Sequence, residues 1–411
     1  MTISFALGPD QLAVKDAARQ FAQQRLRPLA AAVRAEHDPL ARAQLARAPF
    51  EEAVASGFLA GLIPVQVGGA ASSGVDAAIF VEEWATESPD FTISFAGPLI
   101  ALTPVYEAGT PEQVGRFVAP FLVREGAPVA AMAFSEPAGS ANYAAPAPAA
   151  GIETTAVVDG DHWVINGHKA WASHLPGWDG DGPDLMTIVC RTPGGVSVIV
   201  AEREHLAGHI EVEEYYDLPG LRGCLTARIR LRDVRVPLDN LIGTEGQGIE
   251  LTRNAFLASG ASIGTFATAA MRRTFDIAYE FARTEKRGGS VAILEHQAVA
   301  DILSDAKGRI EATRLLSWRA LDAVLSQAPN ALELALHAKV FGSETGLDVV
   351  NRLIQAVGVS AYDNAMLLTE QLAHVLAYPI IEGSNVGMRR RQLQELLLSA
   401  SYDPLSASGL S

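Results

Sequence analysis

Only two cysteines, Cys190 and Cys224, occur in 411 residues. A disulfide framework therefore does not organise this chain, and with both residues in strand-like sequence the expectation is two reduced, buried thiols. Positive charge is also short: lysine plus arginine number 32 against 47 aspartates and glutamates, a formal charge of −15. A surface this acidic repels phosphate backbones, which argues against nucleic acid as a partner. No apolar run is long enough to span a bilayer, and Met1 to Asp10 lack the basic segment and apolar stretch of a leader. The expected location is therefore the cytoplasm. No G-x-G-x-x-G or P-loop pattern sits between a strand and a helix, so a doubly wound nucleotide-binding fold is not expected.

What is present is material for a large core. The chain is 49% hydrophobic and 19% charged, ordinary globular usage and far from disorder. At roughly 100–200 residues per domain there is room for two or three domains, or one large unit.

Three zones follow, in α–β–α order. Residues 1–126 have helical texture: Asp10 can cap a helix running to Leu26 with Pro28 beyond it, and Glu51–Gly57 and Asp76–Thr86 read as further helices. Residues 127–243 read as an antiparallel β domain, expected to be a barrel. Asp159-Gly160 and Asn166-Gly167 are both hairpin signals, and Ala227, Ile229 and Leu231 alternate with Arg228, Arg230 and Arg232. Residues 244–411 return to long helical patterns: Leu294 to Leu315, Ala331 to Val357 and Met366 to Leu376. Such helices with short connections predict an antiparallel four-helix bundle. The Ala144–Ala150 run is expected to be a loop.

Four segments carry the chemistry. Met132-Ala-Phe134-Ser135-Glu-Pro-Ala-Gly-Ser140-Ala141-Asn142 offers small residues and hydroxyls after a strand, either a plain loop or a binding loop. Asn166-Gly-His-Lys-Ala-Trp171-Ala172-Ser173 presents an indole that either packs in the core or lies against a flat ring. The third is Asp217 to Cys224, followed by Arg232 to Gly243. The fourth is Tyr378-Pro-Ile-Ile-Glu382-Gly-Ser384-Asn-Val-Gly-Met-Arg389.

In this order, over nearly the whole chain, the four segments resemble the acyl-CoA dehydrogenases. In motif detail they look most like the nitroalkane oxidase branch, through Gly177-Trp178-Asp179, Arg287-Gly-Gly-Ser290, Glu295-His296-Gln297, Arg389-Arg-Arg-Gln392 and Tyr402-Asp-Pro404. The resemblance implies a flavin enzyme binding FAD. Met132, Phe134, Ser135, Ser140, Ala141 and Asn142 would form one flavin contact, Trp171, Ala172 and Ser173 a second, with Ser384 nearby. Arg287, His296, Gln297 and Gln355-Ala356-Val357-Gly358 would touch FAD too, the arginine and the last four across a subunit contact. It also implies Glu382 as the base, Ser259 near the flavin and Arg389 in the catalytic set, where it orients the base, holds flavin or forms a buried ion pair.

The expected reaction is introduction of a C=C bond into an acyl thioester, on CoA or on an acyl carrier protein. Glu382 would take the α proton while a β hydride passes to flavin N5, with an electron-transfer flavoprotein or oxygen as acceptor, in a homotetramer. The alternative is a nitroalkane oxidase or a related flavin oxidase or monooxygenase. Three departures bear on the choice. The oxidase branch has an aspartate where Glu382 stands, as the dehydrogenases have a glutamate. Between Gly248 and Gly264 the chain is about one helical turn shorter than CoA-using enzymes, with Thr252 and Ala255 near the positions of a CoA-holding pair. Glu285 stands where the dehydrogenases have a cofactor-contacting arginine, for which Arg287 is a replacement. Arg228, Arg230 and Arg232 line one strand face, either solvated or a docking stripe for a carrier protein. No metal is expected.

Overall fold

The computed structural model describes residues 6–146 and 149–408. Met1 to Phe5, the first half of the segment read for a leader, lie outside them, as do Ala147 and Pro148 of the Ala144–Ala150 run.

The chain opens with α1 (Pro9–Phe21) and α2 (Arg27–Ala35), joined by a π-helical turn over Ala22–Leu26. The helix therefore passes through Pro28 instead of stopping before it. Arg27 N–H donates to the Ala22 carbonyl, five residues back, and the widened turn takes up the missing proline donor. Gly8, not Asp10, is the N-cap, with Pro9 as the first helical residue. After three short helices, Pro39–Gln44, Arg47–Ala55 and Phe58–Leu62, come α3 (Gly74–Ala85) and α4 (Pro89–Phe95). Their Phe80, Trp84, Phe91 and Phe95 pack with Phe21, Phe50 and Phe58 into one aromatic cluster. Buried Glu82 and Glu83 of α3 take the guanidiniums of Arg272 and Arg314 and so bolt this zone to the C-terminal helices.

The middle zone holds β1 (Ala130–Ala133), β2 (Thr155–Asp159), β3 (His162–Ser173), β4 (Leu185–Thr192), β5 (Gly195–Glu202), β6 (Ile210–Tyr215), β7 (Thr226–Pro237) and β8 (Leu241–Ile242). The hydrogen-bonded order is β6-β7-β3-β2-β4-β5-β8, with β1 also on β4. Most pairs are antiparallel, but β1 and β2 both run parallel to β4. The Asp159-Gly160 hairpin forms, turning on Gly160 and Asp161. The second turn signal does not make a hairpin. At Asn166-Gly167 the strand β3 only bulges, because the Asn166 amide exchanges hydrogen bonds with Asp233 of β7 at 3.0 and 2.9 Å and keeps the two strands paired. Cys190 and Cys224 are free and buried.

The C-terminal zone packs α5 (Gly248–Thr284), α6 (Gln297–Leu325), α7 (Ala331–Val357) and α8 (Leu368–Ala377). Gly264 and Gly342 bring α5 and α7 into backbone contact, since a Cβ at Gly342 would sit 2.7 Å from the Gly264 α carbon. That close approach sets the floor on which the loop carrying Glu382 rests. No helix among the described residues is long and apolar enough to cross a membrane.

Candidate active site

Glu382 lies in the loop between α8 and the helix Arg390–Leu397 and adopts a left-handed backbone, φ +52. For a residue with a side chain this costs about 1–3 kcal/mol, so the surroundings must impose it. Arg389 does so. Its guanidinium donates twice to the Glu382 carbonyl, at 3.2 and 2.7 Å, once to the Phe256 carbonyl of α5 at 3.1 Å, and once to Gln392 Oε1 at 2.8 Å. Only glycine fits next to it, because a Cβ on Gly383 would lie 2.7 Å from Arg389 Nε. Arg389 is 2% exposed, and burial pushes its guanidinium down to about 10, with Glu382 pulling the other way. It is charged at neutral pH.

The carboxylate is left available. Among the described residues Oε2 of Glu382 is buried and has no hydrogen-bond partner. A buried acceptor left open is costly unless a ligand meets it. Ser259 stands one position from Gly260, which lies against the same guanidinium. The serine is half-buried, and its hydroxyl makes only a long bond to the Ala255 carbonyl at 3.4 Å.

The Met132–Asn142 segment meets this loop directly. Gly387 lies against Ala141, and Arg391 donates to the Ala141 carbonyl at 2.7 Å and reaches Asn142 Oδ1 at 3.4 Å. Phe134 packs edge-on to Phe256, whose other neighbour is Arg389. Met132 and Phe134 have buried side chains, so they offer their backbone; the Ser140 hydroxyl accepts from Glu136 N at 3.0 Å. Ser384 caps the turn that leads to Arg389 by accepting from Gly387 N.

The second segment forms a bulge in β3 between Ala170 and Ser173. Trp171, at φ +71, is turned outward, 54% exposed and stacked on Tyr216 at 4.1 Å. Half-buried Ala172 and Ser173 follow it. Ser173 is beside the Cys224 thiol, which donates to the Asp90 carbonyl at 3.3 Å. Asp90 in turn accepts from Gly223 N at 2.9 Å and neighbours Tyr378, whose buried hydroxyl burial pushes well above its ordinary range. The Met132–Asn142 segment thus meets the Glu382 loop directly, and the Trp171–Ser173 bulge neighbours it through Cys224, Asp90 and Tyr378. An exposed indole face, small residues with open backbone, and an unpartnered carboxylate oxygen suit a flat, redox-active ring with a substrate between ring and base.

A second group of sequence-predicted residues is elsewhere. Arg287, at the far end of α5, donates to the Val357 carbonyl and to Ser360 Oγ at 2.9 and 2.8 Å, so it does meet the Gln355-Ala356-Val357-Gly358 stretch. His296 and Gln297 are exposed close by. At 1.5 Å rise per residue, Thr284 is about 38 Å along the helix from Ser259, so within one chain these residues do not join the Glu382 site.

Thr252 and Ala255 are fully buried and uncharged, and so offer nothing to a nucleotide. The basic stripe is neutralised from the neighbouring strand: Arg228 pairs with Glu213 and Glu214, Arg232 with Glu211, and Arg230 sits opposite Glu211. A face already covered by its own carboxylates has no field left to steer an acidic carrier protein.

Sequence reasoning missed the buried pair Lys169–Glu136 at 2.8 Å. Lys169 also donates to the Phe134 and Val189 carbonyls, while Glu136 accepts from Glu153 N, Thr154 N and the Thr154 hydroxyl. Burial alone would raise the Glu136 carboxyl, but Lys169 and these donors hold it below the usual range. The pair fixes the Phe134–Glu136 segment to β3. Its signal was a lysine directly before the buried Ala170 of β3.

The family models of the acyl-CoA dehydrogenase N-terminal and C-terminal domains match residues 8–125 and 246–397. A nitroalkane oxidase of Podospora anserina is 38% identical over 99% of this chain and 99% of its own length. That of Fusarium oxysporum is 33% identical over 99% and 97%. The chain also superposes on a solved structure of the flavoprotein nitroalkane oxidase with TM-score 0.96 and 32% identity, covering 100% of both chains. That structure belongs to an analysis of an aspartate and an arginine, seven positions apart, in the enzyme's reaction. Glu382 and Arg389 are likewise seven apart.

Proposed function

The chain belongs to the acyl-CoA dehydrogenase superfamily and is a flavoprotein oxidoreductase, and we propose that it oxidises nitroalkanes with oxygen as electron acceptor. The observation that carries this reading is full-length identity to nitroalkane oxidases, with a carboxylate and an arginine at the spacing that one of them uses. The buried, uncharged Thr252 and Ala255 support it, because no charged pair is present at that point to hold CoA.

A nitro group acidifies the neighbouring carbon–hydrogen bond, and the task left to the protein is to take that proton. Glu382 Oε2 accepts it, being buried and unengaged. Arg389 holds the residue's backbone so that the carboxylate points into the site. Ser259, with a nearly free hydroxyl, donates to a polar atom of the substrate. FAD would be held by the backbone of the Ser135–Asn142 loop and by the Trp171 indole and Ser173. When bound, it supplies the two-electron sink that no side chain provides. The buried Phe134–Phe256 contact walls the site on its apolar side.

A second reading, dehydrogenation of an acyl thioester, is favoured by one residue: glutamate at 382, one methylene longer than the aspartate. The two part company in one experiment. Under anaerobic conditions nitroethane should bleach the bound flavin within a turnover, and a panel of acyl-CoA and acyl-carrier thioesters should leave it yellow. Bleaching by a thioester and none by nitroethane would reverse the assignment.

Arg287, His296, Gln297 and Gln355–Gly358 serve the FAD of a neighbouring copy, in a homotetramer or at least a dimer. Their distance from the Glu382 site supports this, as do the apolar residues beside them, Val359 and Tyr362, at 83% and 86% exposed. Light scattering on the FAD-loaded protein should give a multiple of the 43.5 kDa chain mass. A monomer that binds FAD at full affinity would overturn it.

A further inference from the structure

A buried lysine lies directly under the base loop, and the mechanism above does not use it. Lys339 is on α7 and is 1% exposed. Its ammonium donates to the Tyr378 carbonyl and, at 3.2 Å, to Asn385 Oδ1. These two acceptors flank Glu382 on either side in the chain. The loop between them is closed on itself by Asn385 N donating to the Pro379 carbonyl at 2.8 Å. Asn385 also returns to α7, donating to Ser343 Oγ at 3.0 Å and Glu344 Oε1 at 3.1 Å. Lys339 and Ser343 are one turn apart on one helix face. Both ends of the loop are therefore stapled to a single stretch of α7, which the Gly264–Gly342 contact fixes against α5.

We propose that Lys339 is a positioning residue for the base: its ammonium ties both ends of the loop to α7 and so fixes where the Glu382 carboxylate stands. The proposal rests on Glu382 being the base. An ammonium buried without a carboxylate in hydrogen-bond contact costs several kcal/mol in general, which the charge-assisted bonds to the two loop ends offset in part. The charges that face it are few. Glu382 and Arg389 face it from the loop. Glu344 faces it from its own helix, and is itself engaged by Arg390. From α5 the residues against this part of α7, Gly264 and Ala267, carry no charge. Burial pushes the ammonium down to about 7, Arg389 pushes the same way, and Glu382 and Glu344 oppose. The sign follows: the cation is present below about pH 7 and is lost above it. The tie is therefore charge-assisted below about pH 7 and weakened above it.

Two variants test the tie. Lys339→Met fills similar space without a donor, and Lys339→Arg keeps a charged donor. The readout is anaerobic flavin reduction by nitroethane in FAD-loaded protein, resolved into limiting rate and half-saturating concentration, with FAD content and melting temperature alongside. In Lys339→Met the limiting rate should fall roughly tenfold or more at unchanged FAD content, as a misplaced base requires, and Lys339→Arg should recover most of it. A limiting rate within twofold of the unmodified protein in a folded, FAD-loaded methionine variant overturns the proposal, as does an arginine variant no faster than the methionine one. Failure of both to fold would show a merely structural lysine and would overturn it too. If Glu382→Gln still reduces its flavin at the normal rate, it is the base assignment that fails, not the coupling of Lys339 to Glu382.

Discussion

Replacing Glu382 with glutamine should leave a yellow, folded protein whose flavin nitroethane reduces roughly 10²–10⁴ times more slowly, the usual worth of a positioned general base. The fold should survive for a local reason. It is the backbone carbonyl of residue 382 that Arg389 grips, and that carbonyl is unchanged by the substitution. Oε2 has no partner to lose, and glutamine meets the same left-handed backbone at the same cost. Anaerobic stopped-flow absorbance gives the reductive rate, and FAD content is read after denaturation. A rate within tenfold of the unmodified enzyme, at full FAD occupancy, would mean that another group takes the proton.

The site was legible where one segment carries a residue and its role together. Glu382 and Arg389 stand seven apart in one stretch, and the two flavin segments are continuous. Not legible were the partners that arrive from far along the chain. The carbonyl of Phe256 completes the Arg389 clamp from 133 residues away, and Lys339 reaches Asn385 across 46. No periodicity signals either contact. The fold divides in the same way. The bounds of α7 follow from its apolar spacing, since an amphipathic face must be buried whatever surrounds it. Pro28 and Asn166-Gly167 carry strong local preferences that the fold overrides: a local π turn absorbs the first, and Asp233, from a distant strand, recruits the second. Arg228, Arg230 and Arg232 looked like a basic stripe because the glutamates that neutralise them lie on a different strand.

Arg389→Lys should retain FAD and lower the reductive rate by about 10- to 100-fold. The guanidinium spans two carbonyls and an amide oxygen at once, through three nitrogens in a fixed fork. An ammonium keeps the charge but occupies one point, so at least one charge-assisted bond is lost, at about 1.5–3 kcal/mol. All four acceptor contacts are to uncharged oxygens, so no ion pair within hydrogen-bond range compensates the burial of this cation. Its cost is tolerated because the grip holds Glu382 in the left-handed backbone it would otherwise leave, and a relaxed φ would swing Oε2 away from the substrate. Flavin affinity should change little, because the residues that meet the cofactor segments, Gly387 and Arg391, are untouched. If Arg389 acts through Glu382, the double variant Arg389→Lys, Glu382→Gln should be no slower than Glu382→Gln alone, since a misplaced base and an absent one cost the same. Additive losses in stopped-flow reduction would instead assign Arg389 a contact of its own with flavin or substrate.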